Sequence, residues 1–592
     1  MKNMNIKWTL LLAAMFSFAA CDTDVEYDIP EVEAPVLVST TPEANAAKVK
    51  RGEITIEVKY DKNVFFATKD LDKISFTGGT LISADVYGSS NVLTLTVNVP
   101  ERETLCTLSI PEGVVLGPNK MPAPAVSLQF TTIALDKTPV MAVSTNAVKL
   151  YDYLLANYDK KVLSGMMAKE SWNTDMAERV YEWTGKYPAL NTFDYGHLAW
   201  SLAGANWINY GDITPVKNWA DNHGIVSCMW HWNVPKFAPL EESIAATVWE
   251  GEKSTGNWAE SIDLRKSEGF DTSVFDNAKA GDYIIVKVKD LDAAVGWWQG
   301  SVKNASWTDL VTGSGVVELT SAQTSYAVRL TEDALNEVKE NGLVISGCNH
   351  TVTGVYIGTP ATVYDLGTDY TYKPDETTFD AANATVEGTW ENKVFTSDMA
   401  AVAGYLKLLK DAGIPVLWRP FHEAAGKWFW WGKDAASHKA MWIAMFNYFK
   451  AQGLDNLIWV WTTETGDEDW YPGDQYVDII GRDIYSKDAE TCASQYAAIS
   501  ATYGNKMITL SECGTVGKIS EQWAAGARWS WFMPWYDGEE EDGTPIVHAD
   551  EAWWKDAMEQ SYVITRDEVP SMEKSCLDWP LQTISVFVKV IN

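Results

Sequence analysis

Hydrophobic and polar residues change their rhythm several times along this 592-residue chain. Between residues 35 and 133 they alternate with a period of two. ITIEVKY (54–60) and VLTLTVNV (92–99) put apolar side chains on one face and polar ones on the other, as half-buried strands do. AVSLQFTT (125–132) closes the series, with turn clusters TGGT and YGSS between the runs. An immunoglobulin-like β-sandwich is the predicted fold of 35–133, with the role of a spacer. From about residue 140 the pattern becomes short apolar strands alternating with helices. The strands are VLSGM (162–166), PALNTFDY (188–195), IVSCMWHW (225–232), PVLWRPFHE (415–423), LIWVWTT (457–463), DIIGRDIY (478–485), MITLSECG (507–514) and WSWFMPWY (529–536). The clearest helix, SDMAAVAGYLKLLKDAG (397–413), is predicted to open on a Ser397-Asp398 cap and to close at Gly413. Eight such units predict an α/β chain whose catalytic domain, 140–240 and 365–570, is a (β/α)8 TIM barrel. Its chemistry belongs at the carboxyl ends of the strands.

The stretch between the third and fourth strands is too long for a loop. It alternates on its own account in DYIIVKV (282–288), TSYAVRL (324–330), GLVISG (342–347) and TVTGVYI (351–357). This predicts a second β-sandwich, 245–360, inserted into the barrel. Trp249, Trp258, Trp297, Trp298 and Trp307 lie within it. Most are expected in its core, and one or two exposed rings would make it a carbohydrate-binding module. The tail, 571–592, ends in an apolar run with no evident partner and no assigned role.

Composition narrows the partner. A formal net charge of −33 leaves no phosphate-neutralising surplus and excludes nucleic acid. The 29 tryptophans suit flat contact with the C–H faces of sugar rings. At the amino end, Lys2 and Lys7 give a basic start to the apolar WTLLLAAMFSFAA, and the whole reads as a signal peptide, 1–20. Ala19-Ala20-Cys21 resembles a bacterial lipobox, although Phe18 replaces the usual leucine. The expectation is lipidation at Cys21, an acidic tether over 21–34, membrane attachment through the lipid, and an outer-membrane or cell-surface location. The seven cysteines contain no CxxC pair, so those beyond Cys21 are expected as buried free thiols.

The chemistry concentrates in PVLWRPFHEAAGKWFWWG (415–432). Arg419, His422 and Glu423 at the end of an apolar strand are costly to desolvate unless they serve a site. Trp418, Phe421 and Trp428 are expected to surround Glu423 and raise its pKa. Glu512, in LSECG, ends the seventh strand, which faces the fourth across a barrel. Two carboxyl groups so placed can act on one glycosidic bond, one protonated and one ionised. Glu464, after the fifth strand, is a rival carboxylate without a matching partner. His231 and His422 lack a third ligand at suitable spacing, so no metal and no cofactor are expected.

PVLWRPFHEAAGKWFWWG, LSECG, WYPGDQYVDIIGRDIY, TGKYPALNTFDY (184–195) and MWHWNVP (229–235) together resemble glycoside hydrolase family 26, most of whose members are β-mannanases. The resemblance spans the barrel, with the inserted sandwich outside it. It implies a retaining mechanism with Glu423 as acid/base and Glu512 as nucleophile. His422 then binds substrate and orients Glu423, Trp428 forms an aromatic platform, Tyr485 hydrogen-bonds the nucleophile and His231 contacts the sugar. Trp535 is expected as a stacking floor and Arg419 as an electrostatic support for the carboxylates. Asp194 and Tyr195 are expected to meet sugar hydroxyls in a distal subsite. Cys513 and Met166 depart from the family pattern. The implied activity is endo-cleavage of β-1,4-mannosidic bonds in mannan, galactomannan or glucomannan by a monomer. The alternatives are β-1,3/1,4-glucanase or xylanase activity, or a non-catalytic glycan-binding lipoprotein. The paired glutamates speak against the last.

Overall fold

The computed structural model describes residues 32–572, apart from 68–70, 170, 205–206, 292–294, 311–314, 321–322 and 540–541. Cys21 and the signal segment lie outside the described residues, as does the tail from 573 onward.

The amino-terminal unit holds two facing sheets. One orders the strands Leu37–Thr41, Gly52–Phe66, Ser90–Val99 and Thr80–Asp85, and the other Ala46–Val49, Val126–Thr132, Leu105–Ile110 and Ser75–Thr77. In Gly52–Phe66 the period-two pattern sends Ile54, Ile56, Val58 and Tyr60 into the core, where they pack with Leu93, Leu95 and Val97.

The second unit contains the barrel. Its eight parallel strands are Val162–Met167, Leu190–Asp194, Ile225–Met229, Val416–Arg419, Leu457–Thr463, Ile479–Tyr485, Met507–Gly514 and Trp531–Pro534. They pair in chain order, and the first strand bonds both the second and the eighth, so the sheet closes. Nearly every residue on these strands is buried, because side chains facing in fill the barrel and those facing out meet the helices.

Two boundaries differ from the sequence reading. The long helix runs Trp390–Asp411, capped by the Thr389 hydroxyl on the Asn392 amide (3.1 Å). Asp398 therefore lies inside the helix and accepts a bond from the Trp232 indole (2.8 Å). Buried Phe395 carries the apolar stripe back beyond Ser397, so the helix begins where a hydroxyl cap is on hand. Gly413 (φ 76°) does follow its end. The fourth strand stops at Arg419, because Pro420 has no amide to extend the ladder. Phe421 (φ 50°) and Glu423 (φ 52°) are then left-handed, so Glu423 stands on a strained turn above the strand.

The insertion between the third and fourth strands is a two-sheet sandwich. One sheet orders Ser243–Ser254, Thr351–Thr359, Tyr283–Lys289 and Ser325–Arg329, and the other Asn257–Arg265, Gly342–Cys348, Trp298–Asn304 and Val317–Leu319. Ile262, Ile284, Val286, Val302, Ile345 and Val355 fill the space between them. The short pair Val234–Pro235 and Tyr370–Thr371 ties its two feet together at the barrel mouth. The five cysteines among the described residues are buried and free.

Candidate active site

Alternation along three barrel strands brings the charged groups together. On the fourth strand Trp418 faces outward, against Tyr195 and Phe449, and Arg419 faces in. On the sixth, Asp483 and Tyr485 share the inner face while Arg482 points out to Gln495 (2.8 Å) and Glu464. On the seventh, Ser511 sits beside Asp483 and Glu512 reaches the mouth, while Cys513 is buried.

Arg419 is the hub. Its guanidinium donates to Glu512 Oε2 (2.5 Å), Asp483 Oδ2 (2.7 Å) and Thr462 Oγ1 (3.2 Å). Asp483 takes its other bond from the Ser511 hydroxyl (2.6 Å), and Tyr485 OH donates to Glu512 Oε1 (2.6 Å). Both oxygens of Glu512 are thus held, one by a cation and one by a phenol. Among the described residues, the Glu423 carboxyl group receives a single bond, from the Trp428 indole to Oε2 (2.7 Å).

Oxygens of Glu423, Asp483 and Glu512 lie within 4.8 Å of one another. A trio this tight has the chemistry to hold a cation, and Arg419 already supplies positive charge to two of its members. Glu423 and Glu512 share this small space with one guanidinium and the Asp483 carboxylate. Burial first, and then the charges of Asp483 and Glu512, raise the pKa of Glu423. Burial and Asp483 also raise Glu512, but Arg419 and Tyr485 oppose the shift. The ionised form of Glu512 is the better solvated, so the shared proton resides on Glu423. Burial works against the charge on Arg419, but Asp483 and Glu512 more than offset it and raise its pKa. Burial and then Glu512 raise Tyr485, which stays a donor.

The opposite wall is built from histidines. Asp194 accepts from the His231 backbone amide (2.9 Å) and bonds His231 Nδ1 (2.7 Å), fixing the ring. Burial raises Asp194, but His231 outweighs it and the net shift is downward. The His231 ring meets His422 at 4.5 Å and Trp535 at 5.4 Å between centroids. Burial, with His231 and Arg419 nearby, holds His422 neutral, its pKa well below the usual range. His422 Nδ1 is buried without a hydrogen-bond partner among the described residues. Asp194, His231, His422, Glu423, Tyr485, Glu512 and Trp535 line one cleft of about 360 Å³, and Trp428, bonded to Glu423, is 49% exposed.

One expected contact is not made. Tyr195 is fully buried among Trp172, Tyr210 and Tyr405, because the alternation that turns Asp194 into the cleft turns Tyr195 away. Arg419, 3% exposed and outside the cleft lining, bonds Glu512 and Asp483, in the place expected of an electrostatic support for the carboxylates rather than of a substrate contact. The expected aromatic cage is also smaller. Phe421 packs on Trp232 and Trp431, which leaves Trp428 as the ring bonded to Glu423. Sequence reasoning missed Asp483, although its period-two register with Tyr485 marks it as inward-facing. It also missed Tyr372 and Phe429, which line the cleft from loops that carry no periodic signal.

Two carboxyl groups at the mouth of a closed parallel barrel, one with a strongly raised pKa and one clamped by a cation and a phenol, are an arrangement that glycoside hydrolysis can use. The chain belongs to glycosyl hydrolase family 26, whose model matches residues 141–278 and 308–568. The match continues past the barrel into parts of the insertion, which the sequence reading had placed outside the resemblance. The chain is 35% identical over 216 residues to a mannan endo-1,4-beta-mannosidase B of Piromyces sp., covering 36% of each protein. It is 36% identical over 210 residues to a mannan endo-1,4-beta-mannosidase of Thermothelomyces thermophilus, covering 34% of this chain and 42% of that one. The matches thus span well under half the length of these curated relatives. Among solved structures, the GH26 domain of an endo-beta-mannanase/endo-beta-glucanase from Prevotella bryantii is 34% identical, with a TM-score of 0.48, covering 73% of this chain and 99% of that one.

Proposed function

We propose that the protein is an endo-acting β-1,4-mannanase that cleaves mannan, galactomannan or glucomannan with retention of configuration. The observation that carries the mechanism is the 4.8 Å limit on the separation of the Glu423 and Glu512 oxygens. Retaining enzymes hold their carboxyl groups about 5–5.5 Å apart, and inverting enzymes about 6.5–9.5 Å, to admit a water. Glu423 gives its proton to the glycosidic oxygen while Glu512 attacks the anomeric carbon and the bond to the leaving sugar breaks. Glu423, now ionised, takes a proton from water as that water attacks the glycosyl-enzyme, and Glu512 leaves as a carboxylate. Arg419 and Tyr485 keep Glu512 ionised and aimed. Trp428 fixes Glu423 and offers its exposed ring to a sugar, and His231, His422 and Trp535 form the remaining walls.

The names of the curated relatives support mannan as substrate. Product analysis on mannan, mixed-linkage glucan and xylan tests this, with the first anomer formed followed by proton NMR. Manno-oligosaccharides released initially as the β-anomer are expected. Preferential cleavage of glucan or xylan would replace the substrate, and an initial α-anomer would overturn the mechanism. The lipobox-like Ala19-Ala20-Cys21 supports attachment to a membrane through a lipid on Cys21. Cys21→Ala is expected to move the protein from the membrane fraction to the soluble one.

A further inference from the structure

The tryptophans of the inserted sandwich divide into two groups. Trp298 is turned into its core and Trp249 packs partly against it. Trp258, Trp297 and Trp307 are 39%, 45% and 46% exposed. Strands Asn257–Arg265 and Trp298–Asn304 flank the central strand Gly342–Cys348, and Asn257 and Gln299 both stand opposite Cys348. Trp258 and Trp297 therefore sit at the same end of one sheet, on either side of its middle strand. Two inter-strand spacings separate their backbones by about 10 Å. Trp307 is at the other end, beside Arg265.

The two rings reach solvent by different routes. Trp297 precedes the inward Trp298, so it points away from the core. Ile262 and Leu264 are inward, and unbroken alternation would turn Trp258 inward too. A register shift between Asn257 and Ser261, with φ of 61° at Trp258, leaves that ring in solvent. A bulky aromatic residue held in the left-handed region is uncommon, and such strain gathers at binding sites. The two segments are also locked together. Asn349 donates through Nδ2 to the Trp297 carbonyl (3.1 Å) and through its backbone amide to the Gly256 carbonyl (2.6 Å).

We propose that this end of the insertion is a second carbohydrate site, separate from the catalytic cleft, where Trp258 and Trp297 stack on two sugars of one neutral β-linked pyranose chain. Indole faces take the C–H faces of pyranose rings. The spacing suits rings about a disaccharide apart on an extended chain. The Asn257 and Asn349 amides beside the rings are of a kind that bonds sugar hydroxyls, and the strong negative charge of the protein disfavours an anionic polymer. The class of glycan rests on the reading of the cleft, whereas the existence of the site does not.

The test uses the full chain carrying Glu512→Ala, so that polymers stay intact. Electrophoresis through gels containing galactomannan, mixed-linkage glucan or xylan compares it with the same chain carrying Trp258→Ala and Trp297→Ala, and with a Trp307→Ala control. Matching thermal unfolding of all variants checks the fold. At least a fivefold weaker retardation is expected for the double variant in one of the gels, with the Trp307→Ala control unchanged. With Glu512 intact, the double variant should cleave short oligosaccharides at the parent rate and insoluble polymer more slowly. Equal retardation of parent and double variant in all three gels overturns the proposal, whichever polymer the cleft cuts.

Discussion

Two arginine–glutamate pairs stand in this barrel, one joining the fourth and seventh strands across it and the other joining the sixth strand to the end of the fifth, and they do different things. Arg419 and Glu512 face the mouth, while Arg482 and Glu464 face the helix layer one residue out of register. Both pairs are largely shielded, and both glutamates have raised pKa values, with burial as the first cause. The inner pair has a third and a fourth member. Asp483 shares the cation, and Glu423 comes within reach with one indole donor of its own. The outer pair is complete, since Arg482 also bonds the Thr463 carbonyl (2.8 Å) and Gln495. A strand-end carboxylate becomes chemical when its neighbours leave one acid protonated and another ionised at one place. The rim salt bridge lacks that inequality.

The largest break in this contrast is removal of the proposed nucleophile. Glu512→Ala is expected to lower kcat on mannan on the order of 10⁴-fold or more, measured by reducing-sugar release. Glu423→Ala should be comparably damaging on polysaccharide but milder on aryl glycosides, whose leaving groups need no proton.

Asp483→Asn gives the next largest effect. It loosens Arg419 and with it the aim of Glu512, costing roughly 10- to 100-fold in kcat. It also removes a negative charge that raises Glu423. The Glu423 pKa then falls, the acid loses its proton at lower pH, and the alkaline limb of the kcat/KM profile moves down. An alkaline limb left in place would show that Asp483 does not tune Glu423.

Glu464→Ala should leave kcat/KM within about twofold while costing about 1–3 kcal/mol of stability in a denaturant titration, because Arg482 loses its ionic partner. A large loss of activity without loss of stability would move Glu464 into the catalytic group.

The smallest effect concerns a buried acid, Asp398, that has no ion pair among the described residues. Burial pushes Asp398 up to about 7, opposed by the Trp232 indole. At low pH the group is protonated both folded and unfolded. As pH rises past the ordinary carboxyl range of about 4, the unfolded chain releases its proton first, so stability is lost progressively until about pH 7. Asn does not ionise. Asp398→Asn should therefore match the parent Tm near pH 4 and exceed it at pH 8, by about 2–4 °C for each kcal/mol recovered.

Much of this protein was legible before folding. The period-two runs marked both sandwiches, and eight apolar strands with intervening helices marked the barrel, because burial on one face or both leaves a periodic trace in the chain. The clustering of Arg419, His422 and Glu423 in one apolar run, and Glu512 in another, marked the acids as a pair. The trace fails where side chains leave the periodic backbone. The left-handed turn lifting Glu423, the loops carrying Tyr372 and Phe429, and the bulge exposing Trp258 have no periodicity to read. Tyr195 was misplaced for a related reason: the residue after Asp194 on a strand points to the other face, and only the packed helices showed which face was the cleft.

What the sequence determined by itself, then, was the set of groups and the scaffold, since hydrophobic periodicity and residue chemistry are local properties. What the tertiary structure decided was which groups share a proton. That depends on whether Arg419 and Tyr485 reach Glu512 or Glu423, and such distances exist only once strands far apart in the chain have closed into a ring.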